Sequence, residues 1–159
     1  MLYNKSLLES IAEKLIAKKS TIAVAESVTS GHLQAAFSYA TNAPLFFQGG
    51  ITTYNVGQQC KHLMIEPTHA IACNCVSEKI AEEMATHASS LFLSDYGIGI
   101  TGYAVPMPET GTQQLFAYIA VAFKEFVILS EKLTSAPSDS VAVQLLYANK
   151  ALEHLNDIL

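Results

Sequence analysis

Ser20-Thr21-Ile22-Ala23-Val24-Ala25-Glu26-Ser27-Val28-Thr29-Ser30-Gly31 decides the fold. Thr21 to Ala25 is a β-branched and apolar run, the pattern of a short buried strand. It stops in Glu26 to Gly31, where three hydroxyls and a glycine precede a helix-like segment from His32. In an open α/β sheet, the carboxyl end of a strand facing a helix N-terminus is where ligands sit. Free N–H groups and the positive end of the helix dipole favour anions and oxyanions there. Ser27 is the candidate reactive group. The competing reading is that Ser27, Thr29 and Ser30 only cap the next helix.

Outward from this stretch, Leu7, Leu8, Ile11, Leu15 and Ile16 recur at helical spacing, which predicts an amphipathic helix over residues 4–18. A second helix is expected from His32 to Tyr39, ended by Asn42-Ala43-Pro44. Phe46 to Tyr54 reads as a strand entered through Gly49-Gly50, and Asn55 to Met64 as a short helix. Thr68 to Cys75 reads as irregular. Ser77 is the expected N-cap of a helix with Ile80, Met84, His87 and Ala88 on one face. Tyr96 to Thr101 reads as another buried strand, and Ala104 to Thr112 as a proline-stiffened loop. Leu115 to Phe123 and Phe126 to Leu133 read as strands joined by a turn at Lys124-Glu125. Ser135-Ala136-Pro137-Ser138 opens a last helix, with Val141, Leu145, Leu146, Ala148 and Leu152 expected on its apolar side. Early α/β alternation and a late hairpin predict an α/β fold, a three-layer α/β/α sandwich with a mixed sheet. The 159 residues are expected to form one domain, Met1 to Leu159.

Half the residues are hydrophobic and only 14% are charged, which leans toward burial of surface in a homo-oligomer. The net charge of −5 argues against nucleic acid or an anionic membrane as the main partner. All nine basic residues are lysines, so a phosphate site would have to use backbone N–H groups, hydroxyls or lysine. Neither a signal peptide nor a spanning segment is visible, and a soluble, cytoplasmic protein is expected. Cys60, Cys73 and Cys75 do not form a disulfide framework.

Three constellations carry chemistry. Ser27, Thr29, Ser30, Tyr54, Thr101 and Gly102 all lie where a strand gives way to a turn, so they are expected on one rim of the sheet. Serine needs a base, for which Lys61 and Lys79 are candidates. Cys60, His62, His69, Cys73 and Cys75 hold ligand chemistry for zinc, but lack paired C-x-x-C spacing, and no metal is expected. The loop Pro106 to Gly111 has too few N–H donors to cradle a phosphate, and reads as a surface lid or an oligomer contact.

Ala25-Glu26-Ser27-Val28-Thr29-Ser30-Gly31 resembles the AESCTGG signature of the CinA C-terminal domain, in the competence/damage-inducible family. The likeness continues through Phe47, Gly50 and Thr53-Tyr54 (F-x-x-G-x-x-T-Y-S-N-E-x-K), Val76-Ser77-Glu78 (A-V-S-E), and Thr101-Gly102-Tyr103-Ala104-Val105-Pro106 (S/T-G-I-A-G-P). Motif order and separations hold over nearly the whole chain. Active members of that family are nicotinamide mononucleotide deamidases. The resemblance therefore implies a serine nucleophile at Ser27, an oxyanion site around Thr29 to Gly31, and a small nucleotide-like ligand, with no cofactor.

The departures bear on that activity. The family's lysine falls on Gln59, and Lys61, two residues on, points about 200° away around a helix. The signature cysteine is Val28 and its first glycine is Ser30. The glycines and lysine of the family's G-P-x-G-G and K-P-x-G-T loops are absent, and its last-helix arginines fall on Ser140, Gln144 and Leu145. The expected function is thus a stand-alone CinA C-terminal-like protein, catalytically degenerate and acting as a binding or assembly module. Its ligand-contacting residues are expected to be Thr29, Ser30, Gly31, Tyr54, Gln59, Thr101 and Gly102. The alternative is an active amidohydrolase that releases ammonia from nicotinamide mononucleotide or a related amide, using Ser27 and Lys61.

Overall fold

The computed structural model describes residues 2–159. Its elements in chain order are α1 (Lys5–Ala17), β1 (Ile22–Glu26), α2 (His32–Tyr39), β2 (Phe47–Thr52), α3 (Val56–Leu63), α4 (Pro67–Ala72), α5 (Glu78–Phe92), β3 (Tyr96–Gly102), β4 (Leu115–Phe123), β5 (Phe126–Ser135) and α6 (Ser140–Ile158). The five strands form one sheet in the order β2-β1-β3-β4-β5. β1 runs parallel to both β2 and β3, while β4 and β5 are antiparallel, so the sheet is mixed.

Alternating side chains divide the core into two. Ile22 and Val24 of β1, Ile98 and Ile100 of β3 and Ile119 and Val121 of β4 face the layer of α1, α2 and α6. The opposite face carries Ala25 under Leu63, Ile80, Met84 and Ala88, with Ala120 and Ala122 under Ala81 and Ala85. The result is a three-layer α/β/α sandwich. α5 lies very close to β3, because Gly97 and Gly99 leave room for it. A Cβ at either would stand 2.0 or 2.2 Å from the Ala85 or Ala81 carbonyl oxygen.

Local chemistry sets the helix starts. Asn4, Asn55 and Ser77 accept from Leu7, Gln58 and Ile80 N–H, capping α1, α3 and α5. Lys124 and Glu125 both take positive φ, giving the tight β4–β5 hairpin. Two expectations need correction. The stretch 68–75 is not irregular: α4 occupies most of it, capped by Glu66, which accepts from Thr68 and His69 N–H. On α6, Val141 and Leu146 face outward and Leu145 is only half-buried, while Val143, Tyr147, Ala148, Ala151, Leu152 and Leu155 are buried.

Candidate functional site

The parallel strands β1, β2 and β3 end on one rim of the sheet. β1 continues to β2 on one side and has β3 on the other, so the chain reverses its winding direction at β1. A crevice opens beyond strand ends at such a point. It is a cleft of about 360 Å³, lined at its floor by Ser27, Thr101 and Gly102. Tyr54, Asn55, Val56 and Gln59 come from the start of α3, Asn74, Cys75 and Val76 from the loop before α5, and Ser140 and Gln144 from α6. The segment Tyr103 to Val105 and Met107 closes the remaining side.

Ser27 is held at the tip of β1 by two sets of bonds. Its N–H donates to Ile100 O at 3.1 Å, tying it to β3. Behind it, the Glu26 carboxylate is fully buried and accepts four hydrogen bonds. These come from the Thr29 hydroxyl (2.6 Å) and from the N–H groups of Gly31 (3.1 Å), Leu33 (3.0 Å) and Gln34 (2.8 Å). Glu26 therefore caps α2 from the preceding strand, and no side chain at Gly31 does so. The helix start is satisfied by an acid rather than by the hydroxyls of Ser27, Thr29 and Ser30. Sequence reasoning missed this role. Its one signal was a charged residue immediately after a wholly buried apolar strand.

Of the residues expected at the site, the structure brings Ser27, Tyr54, Gln59, Thr101 and Gly102 to the cleft. Thr29 is buried against Glu26, and Ser30 is exposed with a left-handed φ of 50°. Gly31 also takes a positive φ, 98°, which an L side chain rarely adopts. None of the three lines the cleft. In the turn expected to form the oxyanion site, Ser30 N–H donates to Ser27 O and Gly31 N–H to Glu26, whereas no hydrogen bond engages Thr29 N–H among the described residues. Lys61 is exposed on α3, whereas Gln59 is buried on the other side of the same helix, so the helical phase leaves Lys61 outside. Lys79 forms an exposed pair with Glu83 on α5 instead.

Thr101 and Gly102 have architectural duties as well. The Thr101 hydroxyl donates to Cys75 O at 2.6 Å, which anchors a turn where Asn74 and Cys75 both take positive φ. Asn74 Nδ2 in turn donates to the Tyr103 hydroxyl at 3.4 Å. A Cβ on Gly102 would stand 2.4 Å from Phe116 O, so β4 demands glycine there independently of any ligand.

Among the described residues, no Lys, His, Asp or Glu lines the cleft, and the chain has no arginine. Its titratable thiol, Cys75, is pushed up to about 11 by burial first and by the neighbouring Cys73 and Cys60 second. It is therefore a neutral thiol near pH 7. Cys60 and Cys73 pack beside it against Ile80 and Met84. His69 bonds Ser77 at 2.9 Å and His62 bonds Gln58 at 3.0 Å. Among the described residues, no group of three or more His, Cys, Asp or Glu side chains is placed to hold a metal ion.

Comparison with known proteins agrees with this architecture. Residues 4–159 match the CinA C-terminal domain family, and the chain belongs to it. A Streptococcus agalactiae protein described as competence-damage inducible is 34% identical over 124 residues, 78% of this chain and 30% of the relative. A Streptococcus pneumoniae protein of the same description is 38% identical over 101 residues, covering 64% of this chain and 24% of that relative. The chain thus spans under a third of the length of these curated relatives. Among solved structures, a competence-damaged protein (CinA) superfamily protein from Escherichia coli superposes with a TM-score of 0.91 at 31% identity, over 98% of this chain and 90% of that one. A superfamily protein from Klebsiella pneumoniae gives 0.90 at 27%, over 96% and 95%.

Proposed function

We propose that this member of the CinA C-terminal domain family binds a small molecule in the cleft beside Ser27 and does not hydrolyse it. The observation that carries the reading is the lining itself, which contains no basic or acidic side chain among the described residues. A serine hydroxyl attacks a carboxamide only when a neighbouring group takes its proton. Gln59 occupies the position where the family resemblance puts that group, and a carboxamide does not accept a proton at neutral pH. The Cys75 thiol, raised to about 11, is no substitute.

A developing oxyanion also needs preorganised donors. The N–H groups of Ser30 and Gly31 are already bonded within the turn, so only those of Val28 and Thr29 remain there as donors. A phosphate would meet no cation in the cleft, which counts against nicotinamide mononucleotide as a tightly held substrate. The test is ammonia release. Incubated with nicotinamide mononucleotide, the purified protein is expected to release no more ammonia than its Ser27→Ala variant. Release that disappears in the variant would overturn this reading and establish the active amidohydrolase in its place.

A further inference from the structure

The segment between β3 and β4, residues 104–114, borders the cleft through Val105 and Met107 without being tied to the rest of the chain. Among the described residues, every hydrogen bond it makes is internal. Met107 and Thr112 pair in both directions, N–H to O, at 2.9 and 3.1 Å. Inside that pair, Thr110 N–H donates to Met107 O at 3.1 Å and Gly111 N–H to Pro108 O at 3.0 Å. The Thr110 hydroxyl lies 3.0 Å from both Met107 O and Thr112 Oγ1. Gly111 takes a φ of 72°, and Pro106 and Pro108 fix their own φ. The tip is a small unit closed on itself.

The two ends of the segment are anchored. Tyr103 N–H donates to Phe116 O at 2.8 Å, and Tyr103 O accepts from the Tyr147 hydroxyl at 3.1 Å. Leu115, where β4 starts, is buried. Between these anchors and the tip lie Ala104-Val105 and Gln113-Gln114, whose backbone groups make no hydrogen bond among the described residues. A self-bonded tip on two unbonded arms is the make-up of a hinged flap.

Strand order gives the direction of swing. β1 lies between β2 and β3, so Ser27 at the tip of β1 has Tyr54, after β2, on one side and the flap, after β3, on the other. Crossing β1 takes two strand spacings, about 10 Å. An extended arm from 104 to 107 spans about 13 Å, enough to cross. Apolar side chains stand exposed on both banks, Val105 at 48% and Tyr54 at 75%. Bringing Val105 and Met107 onto Tyr54 would bury that surface and break no hydrogen bond to the body of the protein.

We propose that residues 104–114 are a lid that swings over Ser27, seats Val105 and Met107 on Tyr54, and encloses the occupant of the cleft. The occupant is then a small molecule held within the cleft of about 360 Å³, not a polymer running through it. This inference rests on the reading that the cleft is a binding site, and it adds how the site shuts.

The experiment is NMR relaxation dispersion on the full chain, free of ligand, with labelled backbone amides and labelled Val and Met methyl groups. The closed form is expected at about 1% or more. Signals of Val105, Met107, Thr110, Gly111 and Thr112 should then share one exchange rate, while Tyr103 and Leu115 stay silent. The minor-state shift of the Met107 methyl should move upfield, under the Tyr54 ring. Tyr54→Ser is expected to abolish that upfield shift, and both it and Met107→Gln to lower the dispersion amplitude by about half or more.

A flap without dispersion would be a fixed wall, and one whose residues exchange at unrelated rates would be a floppy loop. Either result would overturn the proposal. So would dispersion indifferent to both variants, or a rate that rises with protein concentration, the mark of a contact between copies. Because the measurement needs neither ligand nor turnover, it separates the two readings. Ammonia release with the shared exchange intact removes only the inert-serine reading, whereas a static flap without turnover removes only this one.

Discussion

Glu26 shows what one residue does for the site. Its carboxylate gathers the Thr29 hydroxyl and three N–H groups of the α2 start, and so sets the path on which Ser27 leaves β1. Glu26→Ala would leave those donors buried without an acceptor, at a cost of about 3 kcal/mol or more. Urea unfolding should show the midpoint falling at nearly constant slope, and a loss under about 1 kcal/mol would mean that water or a rearranged turn replaces the carboxylate. At this scale the sequence was legible where side chains follow strand ends or helical phase. That logic brought Ser27, Tyr54, Thr101 and Gly102 to one cleft, and helical phase placed Lys61 opposite Gln59, a position named only by the family resemblance. It did not place Thr29, Ser30 and Gly31, whose positions depend on a buried acid drawing the turn inward. No periodicity announces such an acid.

Elements were legible in proportion to their length and caps. Ser77 marked a helix start by side-chain chemistry alone, and α1 was read from the spacing of its apolar residues, while the caps at Asn4 and Asn55 emerged only with the structure. The six-residue α4 is too short to show a period, and its signals were only Glu66 and Pro67 at its start. On α6, the outward positions of Val141 and Leu146 reflect docking against α1, α2 and the sheet, which the helix's own pattern does not encode. What secures α6 near the cleft is Tyr147. It is fully buried, its hydroxyl donates to Tyr103 O at 3.1 Å, and burial pushes its phenol up from 10.0 to about 12. The folded pKa lies above the unfolded one, so this group's stabilisation is complete below pH 10 and is lost as pH rises from about 10 to about 12. Thermal melts should therefore decline over that interval, and Tyr147→Phe should flatten the decline while lowering stability near neutrality by about 1 kcal/mol. An equally steep decline in the variant would assign the alkaline transition to other groups.

For the molecule as a whole, the alternation of apolar strands with capped helices was enough to specify three layers and a mixed sheet. The strand order follows from β1 taking parallel neighbours on both sides. That order places the cleft. The resemblance to the family's motifs also implied which of its cations are replaced. The burial of Gln59 with no hydrogen-bond partner for its Oε1 was not legible, because it arises only when distant segments meet. Together these features support the proposed reading of a cleft that holds Ser27 with no basic or acidic side chain among the described lining residues to activate it. Ser27's own reactivity tests this most directly, since it does not depend on knowing the natural ligand. The protein is treated at pH 7.5 with a fluorophosphonate that labels activated serines, and its intact mass is recorded beside that of Ser27→Ala. The account predicts an unmodified mass for both proteins. Stoichiometric labelling of the wild type that vanishes in the variant would contradict it, and would show that a base reaches Ser27 after all.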